Sequence, residues 1–269
     1  IEASGSVLDT ADADNEVEAL SLRVVAGKGV GLLAGNSLGG VVNSLETAVD
    51  TLSVSVLGSD GVNVLEDDAL TIGNTAAVTV ETVGNDAVTM TSTENSQSDV
   101  VTTNTNGIDG SIVIRTEAGN LTLTEGGATD DLSAAAVVAH GAGNILLAAE
   151  GAETDVLVEA NADITSTSGH ITVTAAQTID FGANIDVTTS STGTIDLAAA
   201  TGDIVMDATA TLNTVDGDIR VAGGDDILDQ IVIGDIFATN ADVSIEASGS
   251  VLDTADADNE VEALSLRVV

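Results

Sequence analysis

The sequence predicts an all-β fold, a parallel β-helix (β-solenoid) of about ten coils of ~24 residues, and three observations predict it. One segment, IEASGSVLDTADADNEVEALSLRVV, fills positions 1–25 and returns without a single change at 245–269. Inside that repeat a shorter motif, Gly followed by a polar residue and alternating apolar positions, recurs at nearly even intervals. The third observation is compositional: 43% of residues are hydrophobic, yet there is no Pro, Trp or Tyr and only two Phe.

The long repeat comes first because self-similarity decides how everything else is read. Identity across the whole segment, surface-type positions included, implies tandem duplication. Positions 1–244 are then one unit and 245–269 the start of the next. The short motif reads Gly119-Asn-Leu-Thr-Leu, Gly143-Asn-Ile-Leu-Leu, Gly169-His-Ile-Thr-Val, Gly193-Thr-Ile-Asp-Leu, Gly217-Asp-Ile-Arg-Val and, with Ala for Gly, Ala241-Asp-Val-Ser-Ile. Following the same slot back through Leu121, Val100, Val78, Leu52 and Leu20 suggests ten periods per unit, and 244 divided by ten is 24.4.

A period this short cannot hold a strand and a crossover helix, but it suits one coil of three short strands. Alternation of period two marks the strands at Ile171/Val173, Ile185/Val187, Ile195/Leu197, Ile204/Met206, Ile219/Val221 and Ile231/Ile233. Gly, Asn, Asp, Ser and Thr fill the corners. Helix is the rival at 134–139 and 17–25, where the absence of a cap and the β-branched neighbours favour strand. Stacking predicts an aliphatic column Leu121, Ile145, Ile171, Ile195, Ile219, Val243 and beside it Leu123, Leu147, Val173, Leu197, Val221, Ile245. Ala149, Ala175, Ala199, Gly223 and Ala247 follow, small enough for a bend. Average usage would give about 13 prolines in a chain this long; a sheet paired on both sides excludes them, since each would remove a ladder hydrogen bond.

With 44 acidic and 5 basic side chains the net charge is −39. Such a chain lacks the clustered Lys and Arg that bind phosphates, which excludes nucleic acid as a partner and disfavours anionic lipid. No apolar run reaches the length needed to span a bilayer, so no direct membrane insertion is expected. The absence of Cys excludes disulfide and thiolate chemistry and fits either a reducing cytosol or an exposed surface. With neither an initiator Met nor a signal-type leader, the chain reads as an interior piece of something longer.

Candidate sites are few. Asp9, Asp12, Asp14 and Glu16, repeated as Asp253, Asp256, Asp258 and Glu260, place hard oxygen ligands at the D-x-D spacing of Ca²⁺ loops, without the Gly and the bidentate acid an EF-hand requires. Ca²⁺ is thus the one cofactor the sequence suggests. Gly223-Gly-Asp-Asp-Ile-Leu-Asp229 resembles half of a Ca²⁺-binding nonapeptide repeat but occurs once. Asn120, Asn144, His170, Thr194, Asp218 and Asp242 form a corner column that reads as a ladder of turn residues satisfying one another, and His140 stands alone. Distributed carboxylates with Arg23, Lys28, Arg115, Arg220 and Arg267 as the only cations make a poor glycan-cleaving site, which needs one singular acid and base. No Gly-x-Ser-x-Gly elbow is present, and Gly27-Lys-Gly-Val-Gly31 lacks P-loop spacing. The chain is expected not to be an enzyme.

The Gly-Asn/Asp-Ile-x-Leu/Val-x-Ala coils, with Leu45-Glu-Thr47, Leu52-Ser-Val-Ser-Val56 and Glu66-Asp-Asp-Ala-Leu-Thr-Ile72, resemble giant bacterial surface proteins with filamentous-haemagglutinin-like repeats. The resemblance is periodic and compositional and spans essentially the whole chain. It implies a right-handed parallel β-helix, a place at the cell surface, and a part in adhesion or in an extracellular fibre or sheath, with no catalytic residues to carry over. The expected partners are adjacent units or copies stacked end to end, with lateral association of rods besides. The expected function is structural, the alternatives being an adhesin stalk and, behind it, a polysaccharide-cleaving β-helix. The most irregular stretch is 27–49, where coil-to-coil spacing widens to 32 residues and GNSLGG at 35–40 suggests a protruding loop, or simply a tolerated insertion.

Overall fold

Short aliphatic runs broken by turn residues cannot satisfy their backbone groups internally, so each must pair with a run one coil away. The structure, a computed structural model, describes residues 1–10, 14–33, 43–103, 110–130, 132–254 and 260–269. Twenty-four strands form one sheet that winds on itself, its strand pairs all parallel, and the described residues include no helix. The chain is a parallel β-helix. Both segments in which helix rivalled strand are strands, Val17–Ala26 and Val137–Ala139.

Each coil has three faces. The first is built by Gly61–Glu66, Ile112–Thr116, Ile145–Ala149, Ile171–Ala175, Ile195–Ala199, Ile219–Gly223 and the end of Asp235–Ala247. Leu70–Ile72, Leu121–Leu123, Val156–Val158, Ile179–Phe181, Ile204–Met206, Gln230–Ile233 and Ser250–Asp253 form the second. Val100–Thr102, Val137–Ala139, Ile164–Ser166, Asp186–Thr189, Thr211–Thr214 and the start of Asp235–Ala247 form the third. Leu45–Val56 runs past all three faces of its coil, pairing in turn with the strands at 61–66, 70–72 and 100–102.

The aliphatic columns are present, with one correction. Ile145, Ile171, Ile195, Ile219 and Val243 stand in register and are at most 2% exposed, but Ile112 precedes them, not Leu121. Leu121 and Leu123 belong to the second face, between Leu70/Ile72 and Val156/Val158. Counting in steps of 24 drifts across faces because the early coils are longer: single rungs lead from Val30 to Val62, from Val62 to Ile112 and from Ile112 to Ile145. For the same reason Leu20 points outward, 81% exposed, and Val78 lies outside the coil altogether. Burial of each such side chain contributes about 1.5–3 kcal/mol, so the columns dominate the stability of the stack.

Corners between the third and first faces are dry and hydrogen-bonded. Ser166, Thr189 and Thr214, at most 2% exposed, donate their hydroxyls to the carbonyls of Gly143, Gly169 and Gly193, each at 2.7 Å. Those glycines stack so closely that a Cβ on Gly169 would lie 2.1 Å from the Gly143 carbonyl oxygen, and one on Gly217 1.8 Å from that of Gly193. Close approach of backbones, not an unusual φ, demands glycine here.

Between the second and third faces of one coil the chain leaves the stack as an antiparallel hairpin, Val78–Val83 with Thr89–Glu94. Its base is closed by Thr75 and Gln97, whose N–H groups donate to each other's carbonyls at 2.8 and 3.2 Å. Val78, Val80, Val83, Val88 and Met90 on this ribbon are all 49% or more exposed. The predicted protrusion at 35–40 lies outside the described residues.

Both copies of the repeated segment close a coil upon themselves with the same bond, but the course between differs: Val17 stands over Thr47 on the first face, while its repeat Val261 stands over Ile236 on the third. Val25 N–H donates to the Ile1 carbonyl at 2.9 Å, and Val269 N–H to that of Ile245 at 3.0 Å. Arg23 pairs with Glu2 at 2.8 Å, and Arg267 with Glu246 at 2.6 Å. Their seats on the rod nevertheless differ. Glu2 heads the column Val25, Ser55, Val101, Val138, Thr165, Thr188, Asn213, Phe237 on the third face, whereas Glu246 lies over Ala222 on the first.

Candidate functional site

Loops that carry several carboxylates hold them only where a neighbouring coil supplies donors or a cation offsets their repulsion. The structure brings Asp9 and Glu16 together and adds Glu46, so that one carboxylate oxygen of each lies within 4.8 Å of the other two. Glu46 is absent from the sequence-level set. It arrives because the strand at 17–26 runs alongside that at 45–56, with Glu16 N–H donating to the Glu46 carbonyl at 3.1 Å. Asn43 Nδ2 donates to Asp9, and Ser44 Oγ donates to Glu46 at 3.4 Å. Loss of solvation, then the hydrogen bond and negative charge of Asp9, and then the charge of Glu46 push the Glu16 carboxyl up to about 7.

Asp14 stands exposed and takes no part in this cluster. Asp12, Asp256 and Asp258 lie outside the described residues. In the second copy Asp253 is exposed and Glu260 half-buried, and no third carboxylate joins them among the described residues. Ca²⁺ takes six to eight oxygens at about 2.3–2.6 Å, so two of its ligands sit up to about 5 Å apart. The Asp9, Glu16 and Glu46 oxygens match that span and that hard-donor chemistry.

A second acidic group, Asp225, Asp226 and Asp229, fits the same span. Here the turn already serves the acids: Asp229 Oδ2 accepts the N–H groups of Asp225 and Asp226, each at 2.9 Å, and Asp226 Oδ1 accepts Leu228 N–H at 2.6 Å. Gly224, at φ +85°, makes the fold-back that brings Asp229 there.

The polar corner column is a ladder of turn residues. His170 N–H donates to Asn144 Oδ1 at 2.9 Å, Thr194 N–H to His170 Nδ1 at 3.2 Å, and Asp242 N–H to Asp218 Oδ1 at 3.0 Å. Asn120 is corrected out of it. It begins a separate ladder before the second face, where its Oδ1 accepts Asp155 N–H at 2.9 Å and Asp155 Oδ1 accepts Thr178 N–H at 3.0 Å. His140 is bound into the wall, its Nδ1 lying 2.6 Å from the Thr102 carbonyl oxygen.

On the outside of the first face Ala198, Ala200, Ala222 and Gly224 floor an open groove of about 580 Å³, bordered by Arg220, Glu246 and Arg267. Glu246 bridges the two guanidiniums, 3.5 Å from Arg220 and 2.6 Å from Arg267. The hydrogen bond from Arg267, then the charges of both arginines, hold its carboxyl below the usual range.

Sequence reasoning also missed Glu66, which is wholly buried at the foot of the column that continues through Thr116 and Ala149. Burial pushes its carboxyl up, against hydrogen bonds from Thr47 Oγ1 at 2.6 Å and from the N–H groups of Val49 at 3.0 Å and Asp68 at 3.4 Å. Nothing in the local pattern distinguishes Glu66 from the exposed acids that follow it.

No protein-family model matches the chain, and neither a curated protein nor a solved structure matches it. The fold therefore gives the class directly: a parallel β-helix in which the segment 1–25 recurs identically at 245–269.

Proposed function

We propose that the chain is a segment of a long, non-enzymatic β-helical rod that bears load in a bacterial cell-surface or extracellular fibre or sheath. The observation that carries this reading is the repeated segment. It closes one coil on itself with the same backbone bond and the same Arg–Glu pair at both ends, so the last coil of one unit is chemically the first coil of the next. Stacking then needs no adapter. The rod's partners are adjacent units or copies of itself, and its charge of −39 opposes sheet-to-sheet clumping of neighbouring rods.

That charge also ties the rod to its counter-ions. Stacked carboxylates repel over a range that salt shortens to about 8 Å at physiological ionic strength, so stability rises with salt and with Ca²⁺ in a saline or divalent-rich setting.

A stalk that carries a binding domain elsewhere is the alternative in the adhesin class. Electron microscopy of native cells separates the two. Continuous fibres with units joined end to end support the load-bearing role, and isolated tethered rods with terminal heads overturn it in favour of the stalk. Cleavage of acidic or neutral glycans by the purified chain overturns both.

A further inference from the structure

We infer that two copies of the chain pair side by side, rods parallel, through the outer side of the first face, about a twofold axis that runs along the rods. The pairing needs no tandem array, so it stands or falls apart from the load-bearing reading, which it extends from single rods to pairs. Its first basis is charge. In a chain of net charge −39 the outward side chains of the seven first-face strands carry two acids, Asp196 and Glu246, and two cations, Arg115 and Arg220. This side is neutral where the chain as a whole repels its copies.

The second basis is size. Outward side chains form two columns, two residues apart on each strand. One runs Leu146, Thr172, Asp196, Arg220, and beside it on the same rungs runs Ala148, Thr174, Ala198, Ala222. A twofold axis parallel to the rods and lying between the columns exchanges them across the contact. Leu146, Asp196 and Arg220 of each copy then face Ala148, Ala198 and Ala222 of the other, and Thr172 faces Thr174. An antiparallel pair would set each column on itself, large against large.

Charge completes the fit. Glu246 stands over Ala222 one rung further on, and with Ala198 and Ala222 it borders the open groove of about 580 Å³. Arg220 of the second copy enters that groove about 4.8 Å along the rod from Glu246, and the reciprocal contact repeats the pair. Within one chain Arg220 lies 2.9 Å from Asp196 and 3.5 Å from Glu246, which hold its guanidinium at this side. Strands of five residues at about 3.3 Å and seven rungs at about 4.8 Å give about 500 Å² per partner. The total of about 1,000 Å² is the low end for a specific interface, so the pair is reversible.

The test is sedimentation velocity of the 269-residue chain. At about 150 mM NaCl, where repulsion is screened beyond about 8 Å, the expected result is a concentration-dependent dimer that gives way to monomer at about 10 mM. Arg220→Glu and Glu246→Arg each set like charges across the contact and should each weaken the dimer at least about tenfold, with circular dichroism and thermal melts confirming a folded chain. An equimolar mixture of the two variants should restore it, since every 220–246 pair between unlike chains is again opposite in sign while both chains remain strongly acidic. A monomeric wild type, or a mixture of folded variants that stays monomeric, overturns the pairing and leaves the fibre reading standing. A dimer lost in Arg220→Glu but kept in Glu246→Arg overturns the parallel arrangement, because Arg220 then meets Asp196 of an antiparallel copy. Oligomers that persist unchanged in both variants come from end-to-end stacking; they overturn the pairing and support the fibre.

Discussion

Residues 145–247 and residues 43–103 build the same aliphatic bore in two ways. In the later region short coils of nearly equal length repeat one solution, with Ile or Val in register and a buried hydroxyl on a glycine carbonyl at each corner. In the earlier region one long strand, Leu45–Val56, replaces three short ones, and the turns are filled by a buried polar network. Ser53 Oγ lies 2.7 Å from Thr75 Oγ1, Gln97 Nε2 donates to Ser53 Oγ at 3.2 Å and to the Val24 carbonyl at 3.3 Å, and Glu66 takes Thr47 and Val49. The difference teaches that repetition is one sufficient means of stacking coils, not a necessary one. Any coil length is admissible if the departing chain leaves its backbone and buried polar groups paired.

Mutations break or sharpen that contrast. The largest effect is expected in the repetitive region: Leu197→Ala, in the middle of a fully buried column, should cost about 2–5 kcal/mol in chemical denaturation, transfer plus cavity. In the earlier region Glu66→Ala should cost about 1–3 kcal/mol, because Thr47 Oγ1 and Val49 N–H lose their acceptor away from water. A Glu66→Ala variant as stable as wild type would show that the polar network is incidental there. Thr189→Val removes one corner hydroxyl at nearly constant shape and should cost about 1 kcal/mol, the net worth of an ordinary hydrogen bond.

The acidic cluster gives a pH-dependent test. Glu16 has a folded value of about 7 against an ordinary 4.5, so it binds its proton more tightly in the folded chain. Its stabilising contribution is full below about 4.5 and is lost as pH rises through 7. Glu16→Gln should therefore melt above wild type at pH 8, with the gap closing at pH 4, in paired thermal melts. Ca²⁺ should raise the wild-type melting temperature at pH 8 more than that of the variant. The smallest effect is expected for the hairpin. Replacing 76–96 by a tight turn between Thr75 and Gln97, which already pair, should shift stability by less than about 1 kcal/mol, in keeping with the weak dependence of closure entropy on loop length.

Ile171, Val173, Ile195, Leu197, Ile219 and Val221 were legible because period-two alternation and a spacing of 24 agree wherever coils are uniform. Leu121 was misplaced because the rung from Ile112 to Ile145 holds a long connection between the strands at 121–123 and 137–139, which a fixed step of 24 passes over. Of the candidate site, Asp9 and Glu16 were legible as acids within one acidic segment, though the D-x-D residue Asp14 takes no part, and Asp225, Asp226 and Asp229 as the acids of a glycine-led turn. Glu46 was hidden, since it reaches Asp9 only through the pairing of residues 17–26 with 47–56.

By itself the sequence determined which side chains face inward wherever the coils are uniform, as in 145–247, and where the chain turns there. Both depend on neighbours a few residues away: alternation sets which side chains turn in, and Gly, Ser and Thr set the corners. The tertiary structure alone decided which face each run occupies, where Glu46 and Glu66 come to rest, and how differently the two copies of the repeated segment are seated. A parallel ladder transmits register from coil to coil, so the seat of any strand is the sum of every coil length before it, and that sum has no local signature.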